Sequence, residues 1–124
     1  MNLLEKKQLN LLAHLARVDG KFENAERELL QVFMKKKGLN KDALRDNRPV
    51  DINYFAKSNN KTELLHWALR MMHADGIVHT REIAFCKNLA IKLGFQEEII
   101  EYFTSHRVPE FTAFERRIKA ILEG

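Results

Sequence analysis

The sequence predicts an all-α protein, a single compact domain of about seven helices over residues 1–124. Three observations carry this reading. Apolar residues recur at three- and four-residue spacings, strand-like alternation is nowhere sustained, and one helix-turn-helix block is written twice.

The repeated block sets the frame. Asp19-Gly20-Lys21-Phe22-Glu23-Asn24-Ala25-Glu26 returns 56 residues later as Asp75-Gly76-Ile77-Val78-His79-Thr80-Arg81-Glu82, and Gly38-Leu39 returns as Gly94-Phe95. Gly20 and Gly76 suit a turn that needs positive φ, and Gly38 and Gly94 suit the position just past a helix end. Phe22 and Val78 fill one apolar slot. The copies cover about residues 3–39 and 60–95, with C-terminal helices over 96–123.

In chain order, Leu4, Leu11, Leu12, Leu15 and Val18 form the apolar stripe of a first helix, which Asp19-Gly20 ends. A second helix starts near Asn24, with Glu23 or Asn24 able to cap it and Glu26 in its first turn; Leu29, Leu30, Val32, Phe33 and Met34 supply the predicted buried side. Lys35-Lys36-Lys37-Gly38 closes it, since cations suit the last carbonyls of a helix. Residues 40–60 read as irregular, with a break at Asn47-Arg48-Pro49, a short helix over 51–57 that buries Tyr54 and Phe55, and a turn at Ser58-Asn59-Asn60.

A third long helix runs over 61–74 with Leu64, Leu65, Ala68, Leu69 and Met72 inward and Trp67 beside them. A fourth, over 80–93, carries Ile83, Phe85, Cys86, Leu89, Ala90 and Leu93. Ile99, Ile100 and Phe103 mark a fifth over 96–105. The last begins at Pro109, a residue suited to the first helical position, with Phe111, Phe114, Ile118, Ile121 and Leu122 as its stripe.

Composition narrows the function. A single cysteine, Cys86, excludes a disulfide framework, and its core-like neighbours make it an inert small hydrophobe. No apolar run approaches the roughly 20 residues of a membrane span, and the N-terminus lacks a signal-peptide pattern, so a cytoplasmic location is expected. The net charge is +4, and the excess is uneven: residues 1–62 hold 13 basic and 8 acidic side chains, residues 63–124 hold 8 and 9. Such a surplus permits an anionic partner without demanding one.

Asp19, Glu26, Asp75 and Glu82, with Glu23 and His79 in equivalent places beside them, are the candidate site. If the copies pack together these carboxylates converge, and converging anions need a cation, a basic partner or raised pKa values. Calcium or magnesium suits such oxygen donors. The same residues also serve local ends, each Asp capping its turn and each Glu favouring a helix N-terminus. An ordinary EF-hand is excluded, because its first and third ligand positions would be Leu15 and Arg17, or Met71 and His73. Zinc or iron would draw on His73, Asp75, His79 and Glu82, a spacing that matches no known ligand motif. His14, His66 and His106 have no acidic or cysteine partners at ligand spacing.

The Val18-Asp19-Gly20 to Glu26 and Ala74-Asp75-Gly76 to Glu82 blocks resemble those of the TerB-like domains, a family named for tellurite-resistance proteins. The resemblance implies a helical domain with pseudo-twofold symmetry, its two acidic turns near each other, and a metal-associated surface at Asp19, Glu26, Asp75 and Glu82. It implies no defined reaction. The expected function is therefore a non-enzymatic cytoplasmic module related to stress or tellurite resistance, whose acidic turns bind a divalent cation or a basic protein partner. The alternatives are nucleic-acid or other anion binding through Lys35, Lys36, Lys37, Lys41, Arg45 and Arg48, and a metal-dependent hydrolase. No Gly-rich phosphate loop, nucleophile elbow or paired-cysteine site supports an enzyme.

Overall fold

The structure, a computed structural model, describes residues 3–18, 24–45, 51–57 and 60–123. The break expected at 47–49, the Ser58-Asn59 turn and the first acidic corner, 19–23, lie outside the described residues, as do the side chains of Arg45 and Leu122. Among the described residues there are six α-helices and no strand: α1 (Leu3–Arg17), α2 (Asn24–Lys37), α3 (Lys61–Met72), α4 (Thr80–Lys92), α5 (Glu98–Ser105) and α6 (Phe111–Glu123). None is long and apolar enough to cross a membrane.

The predicted seventh helix is not α-helical. Residues 41–45 and 52–57 form two 3-10 turns, each opened by a side chain that captures a nearby amide. Asn40 Oδ1 accepts from the Asp42 amide at 3.0 Å, and Asp51 Oδ1 accepts from the Asn53 amide at 3.0 Å. Such local capture competes with the α-helical ladder and favours short, tight turns. The second turn buries Phe55 fully but leaves Tyr54 41% exposed, so only one of the two aromatics expected inside enters the core.

α3 is the central element. Leu64, Leu65, Trp67, Ala68, Leu69, Met71 and Met72 are all buried, and so is His66, which leaves it apolar around most of its circumference. It packs against α1, α4 and α6. On its α2 side, Trp67 meets Phe33 edge-on with ring centroids 5.1 Å apart. α1 adds Leu9, Leu11, Leu12, Leu15 and Ala16, all completely buried.

α2 corrects one expectation. Leu30, Phe33 and Met34 face the core, but Val32 is 47% exposed and Leu29 only partly buried. At about 100° per residue, position 32 falls well outside the arc shared by 30, 33 and 34.

The helix ends at Gly38 and Gly94 are built alike. The Leu39 amide donates to Met34 O and the Phe95 amide to Ala90 O, both at 2.8 Å, while each glycine, at φ +68° and +90°, donates three residues back. This is the Schellman arrangement, which requires the left-handed conformation that glycine adopts without strain.

α6 starts later than proline alone suggested. Glu110 is its cap, its two oxygens accepting from the Thr112 and Ala113 amides at 3.0 and 2.9 Å, and Pro109 precedes the cap. The proline carbonyl has a different role, accepting from His66 Nε2–H at 2.8 Å. α3 likewise ends at Met72 rather than residue 74, because the Ala74 and Gly76 amides turn back to Met71 O and His73 O.

The Phe33–Trp67 contact joins α2 to the central helix, and Phe33 is 1% exposed. Phe33→Ala is expected to lower the unfolding free energy by about 3–5 kcal/mol in a urea titration. A loss below ~1 kcal/mol would show that α2 is not held through this ring.

Candidate functional site

The second acidic corner is described in full. After α3, Gly76 takes φ +80°; a Cβ built there would meet nothing within 4 Å, so the position selects glycine through its backbone conformation and not through space. Asp75 Oδ1 accepts from the Ile77 amide at 3.0 Å, an Asx turn that reverses the chain. Asp75 Oδ2 accepts from His79 Nε2–H at 3.1 Å. His79 is the extended residue before α4, and its Nε2 also lies 4.0 Å from Glu82 Oε1 in the first turn of that helix.

Asp75, His79 and Glu82 are thus brought together. Partial burial would raise the Asp75 carboxyl pKa, but the hydrogen bonds from the Ile77 amide and from His79 outweigh it and hold the group below the ordinary aspartate value. His73 does not join them. It donates through Nε2–H to Phe103 O of α5, which removes it from the set a transition metal would need.

Asp19 and Glu23 belong to the first corner, outside the described residues. Glu26, the repeat equivalent of Glu82, is described. Both sit in the first turn of their helices and both are buried, at 1% and 2% exposure. The N-terminal part of α2 also lies beside the second corner, since Ala25, Leu29 and Val32 line the same groove as His73, Ala74 and Gly76. The first turns of α2 therefore border the second corner. The carboxylates of Glu26 and Glu82 are interior groups, not an exposed acidic face.

The basic segment separates into different environments. Lys35 and Lys41 are exposed, and Arg48 lies outside the described residues. Lys37 pairs with Glu63 of α3. Lys36 places Nζ 5.7 Å from the centre of the Trp67 ring, and Arg70, a residue the charge pattern gave no reason to choose, places its guanidinium 4.5 Å from the same ring. The i, i+3 spacing of Trp67 and Arg70 on one helix was the available signal, although it could not say that Lys36 would arrive from α2.

Cys86 is completely buried, its Sγ 3.9 Å from Ala68 O. Burial, reinforced by the nearby Glu82 charge, pushes the thiol far above its ordinary pKa, so a nucleophilic thiolate is strongly disfavoured. Of the histidines read as ordinary, His66 is buried against Phe111 and Phe114 with its pKa lowered by that burial, against the upward pull of its bond to the Pro109 carbonyl. His106 stacks on Tyr102 with centroids 3.9 Å apart.

Compared with models of known protein families, with curated proteins and with solved structures, the chain gives no significant match.

Two outcomes test this geometry. Asp75→Asn keeps an acceptor for the Ile77 amide but removes the charge facing His79. Because the native carboxyl titrates below its unfolded value, its contribution is full at neutral pH and disappears as pH falls through the native value. The stability gap between wild type and variant should close towards acid pH in urea titrations, and a pH-independent gap would contradict the assignment. For Cys86, labelling by a thiol reagent should proceed no faster than opening of the fold, as hydrogen exchange reports it. Rapid stoichiometric labelling of native protein would contradict its burial.

Proposed function

We propose that this protein is a non-enzymatic, TerB-like helical module whose paired corners hold a divalent cation, calcium or magnesium. The observation that supports this most is the burial of Glu26 and Glu82, carboxylates at equivalent places of the sequence repeat, in the first turns of α2 and α4. Carboxylate oxygens held inside the fold are donors of the kind that a hard divalent cation prefers. The donors suit such an ion in kind. Among the described residues no three of them stand close enough to ligate one, so the reading requires Asp19 or Glu23 from the first corner.

A basic protein partner is less well supported at this end, because side chains buried to this degree present little surface to a second molecule. Catalysis also has little support. His66, His73 and His79 each commit Nε2–H to an internal acceptor, and Cys86 is a buried neutral thiol. A cytoplasmic role in stress or tellurite resistance rests on the family resemblance alone.

Calorimetric titration with calcium, magnesium, manganese and zinc tests the reading on wild type, Asp19→Asn/Asp75→Asn and Glu26→Gln/Glu82→Gln. Saturable heat with calcium or magnesium is expected for wild type and is expected to vanish in both double variants. A ligand at about 100 times its Kd should also add ~2.7 kcal/mol to stability. Heat that persists unchanged in both variants, or folded wild type that takes up none of the four ions, would overturn it.

A further inference from the structure

We propose that the groove between α2 and α3 is a docking site for an acidic amphipathic helix of a protein partner. Two adjoining cavities of about 710 and 600 Å3 share Arg70 and Val108 and run along α2 from Ala25 to Lys37. At 1.5 Å per residue that wall is about 18 Å long, the length of roughly three helical turns. α3 forms the floor, and the segment 107–111 forms the other wall.

Charge selects the partner. Lys36, Arg70 and Arg107 edge the groove, and among the described residues no carboxylate pairs with any of them. The acidic side chains present are largely occupied: Glu63 is paired with Lys37, and Glu110 accepts from the Thr112 and Ala113 amides, which leaves Glu28. Lys36 and Arg70 both lie beside one Trp67 ring without a counter-ion among the described residues, and a carboxylate brought there would face two cations.

Shape selects a helix. Between the charges the lining is apolar, with Val32 47% exposed and Leu29 and Val108 half-buried, so a stripe of apolar residues at i, i+3/i+4 and i+7 fits along it. Among the described residues there is no strand whose edge could pair with an extended peptide. A nucleic acid fits less well: Trp67 is 3% exposed and already covered by two cations, so its face cannot stack a base.

Fluorescence anisotropy with labelled peptides of about fifteen residues tests this, using leucines on one helical face and either glutamate or lysine elsewhere. The glutamate peptide is expected to bind, and the lysine peptide is not. Lys36→Glu and Arg107→Glu, both at exposed positions, should each weaken binding by roughly tenfold, and added salt should weaken it further. Val32→Ser, which adds no charge, should weaken it through the apolar lining alone, while Lys92→Glu on α4 should leave it unchanged. Thermal melts verify that each variant is folded. The proposal is overturned if the glutamate peptide does not bind, if Lys92→Glu weakens it as much as Lys36→Glu, or if a single-stranded RNA displaces the peptide and is itself lost on the same charge reversals. None of these substitutions touches the corner carboxylates, so failure here is separable from failure of the cation reading.

Discussion

The enclosure of α3 is the constraint on which the rest of the structure depends. A helix wrapped by α1, α4 and α6, with α2 alongside, can keep a polar side chain only if that group finds an internal acceptor or reaches an open flank. His66, and His73 just past the helix end, take the first course, donating to the Pro109 and Phe103 carbonyls, and Arg70 takes the second. The C-terminal segment is consequently fastened to the centre by two imidazole donors as well as by Phe103, Phe114 and Ile118. Burial keeps His66 neutral over a wider range than an exposed histidine, which preserves the packing of its ring on Phe111 and Phe114.

That fastening shapes the flank. Pro109 is drawn to His66, and Glu110 then caps α6, so the 107–111 segment stands as a wall opposite α2 instead of lying across it. Lys36 and Arg70 meet over Trp67 because the same indole is packed edge-on by Phe33 and cannot turn away. Groove, cationic rim and buried aromatic are results of one packing arrangement.

At the other end, backbone geometry governs. Gly76 lies in the left-handed region with open space around its Cα, and Asp75 has one oxygen on the Ile77 amide and the other on His79. An aspartate so engaged holds the corner in shape and places Glu82 at the start of α4, facing inward. The local capping role of these residues is compatible with the cation binding proposed for them, since each carboxylate oxygen has more than one lone pair.

The sequence by itself determined the helical class, the glycine-terminated ends of α2 and α4, the Asp75-Gly76 reversal and the inert setting of Cys86. These follow from periodicity and from the φ that a residue can adopt, properties of a few consecutive residues. Only the tertiary structure decided that Glu26 and Glu82 are interior, that Phe55 enters the core while its neighbour Tyr54 does not, and that Lys36 and Arg70 share an indole. It also decided that Glu110, not Pro109, opens α6. Burial and side-chain partnership depend on what arrives from elsewhere in the chain, and no window of consecutive residues contains that information.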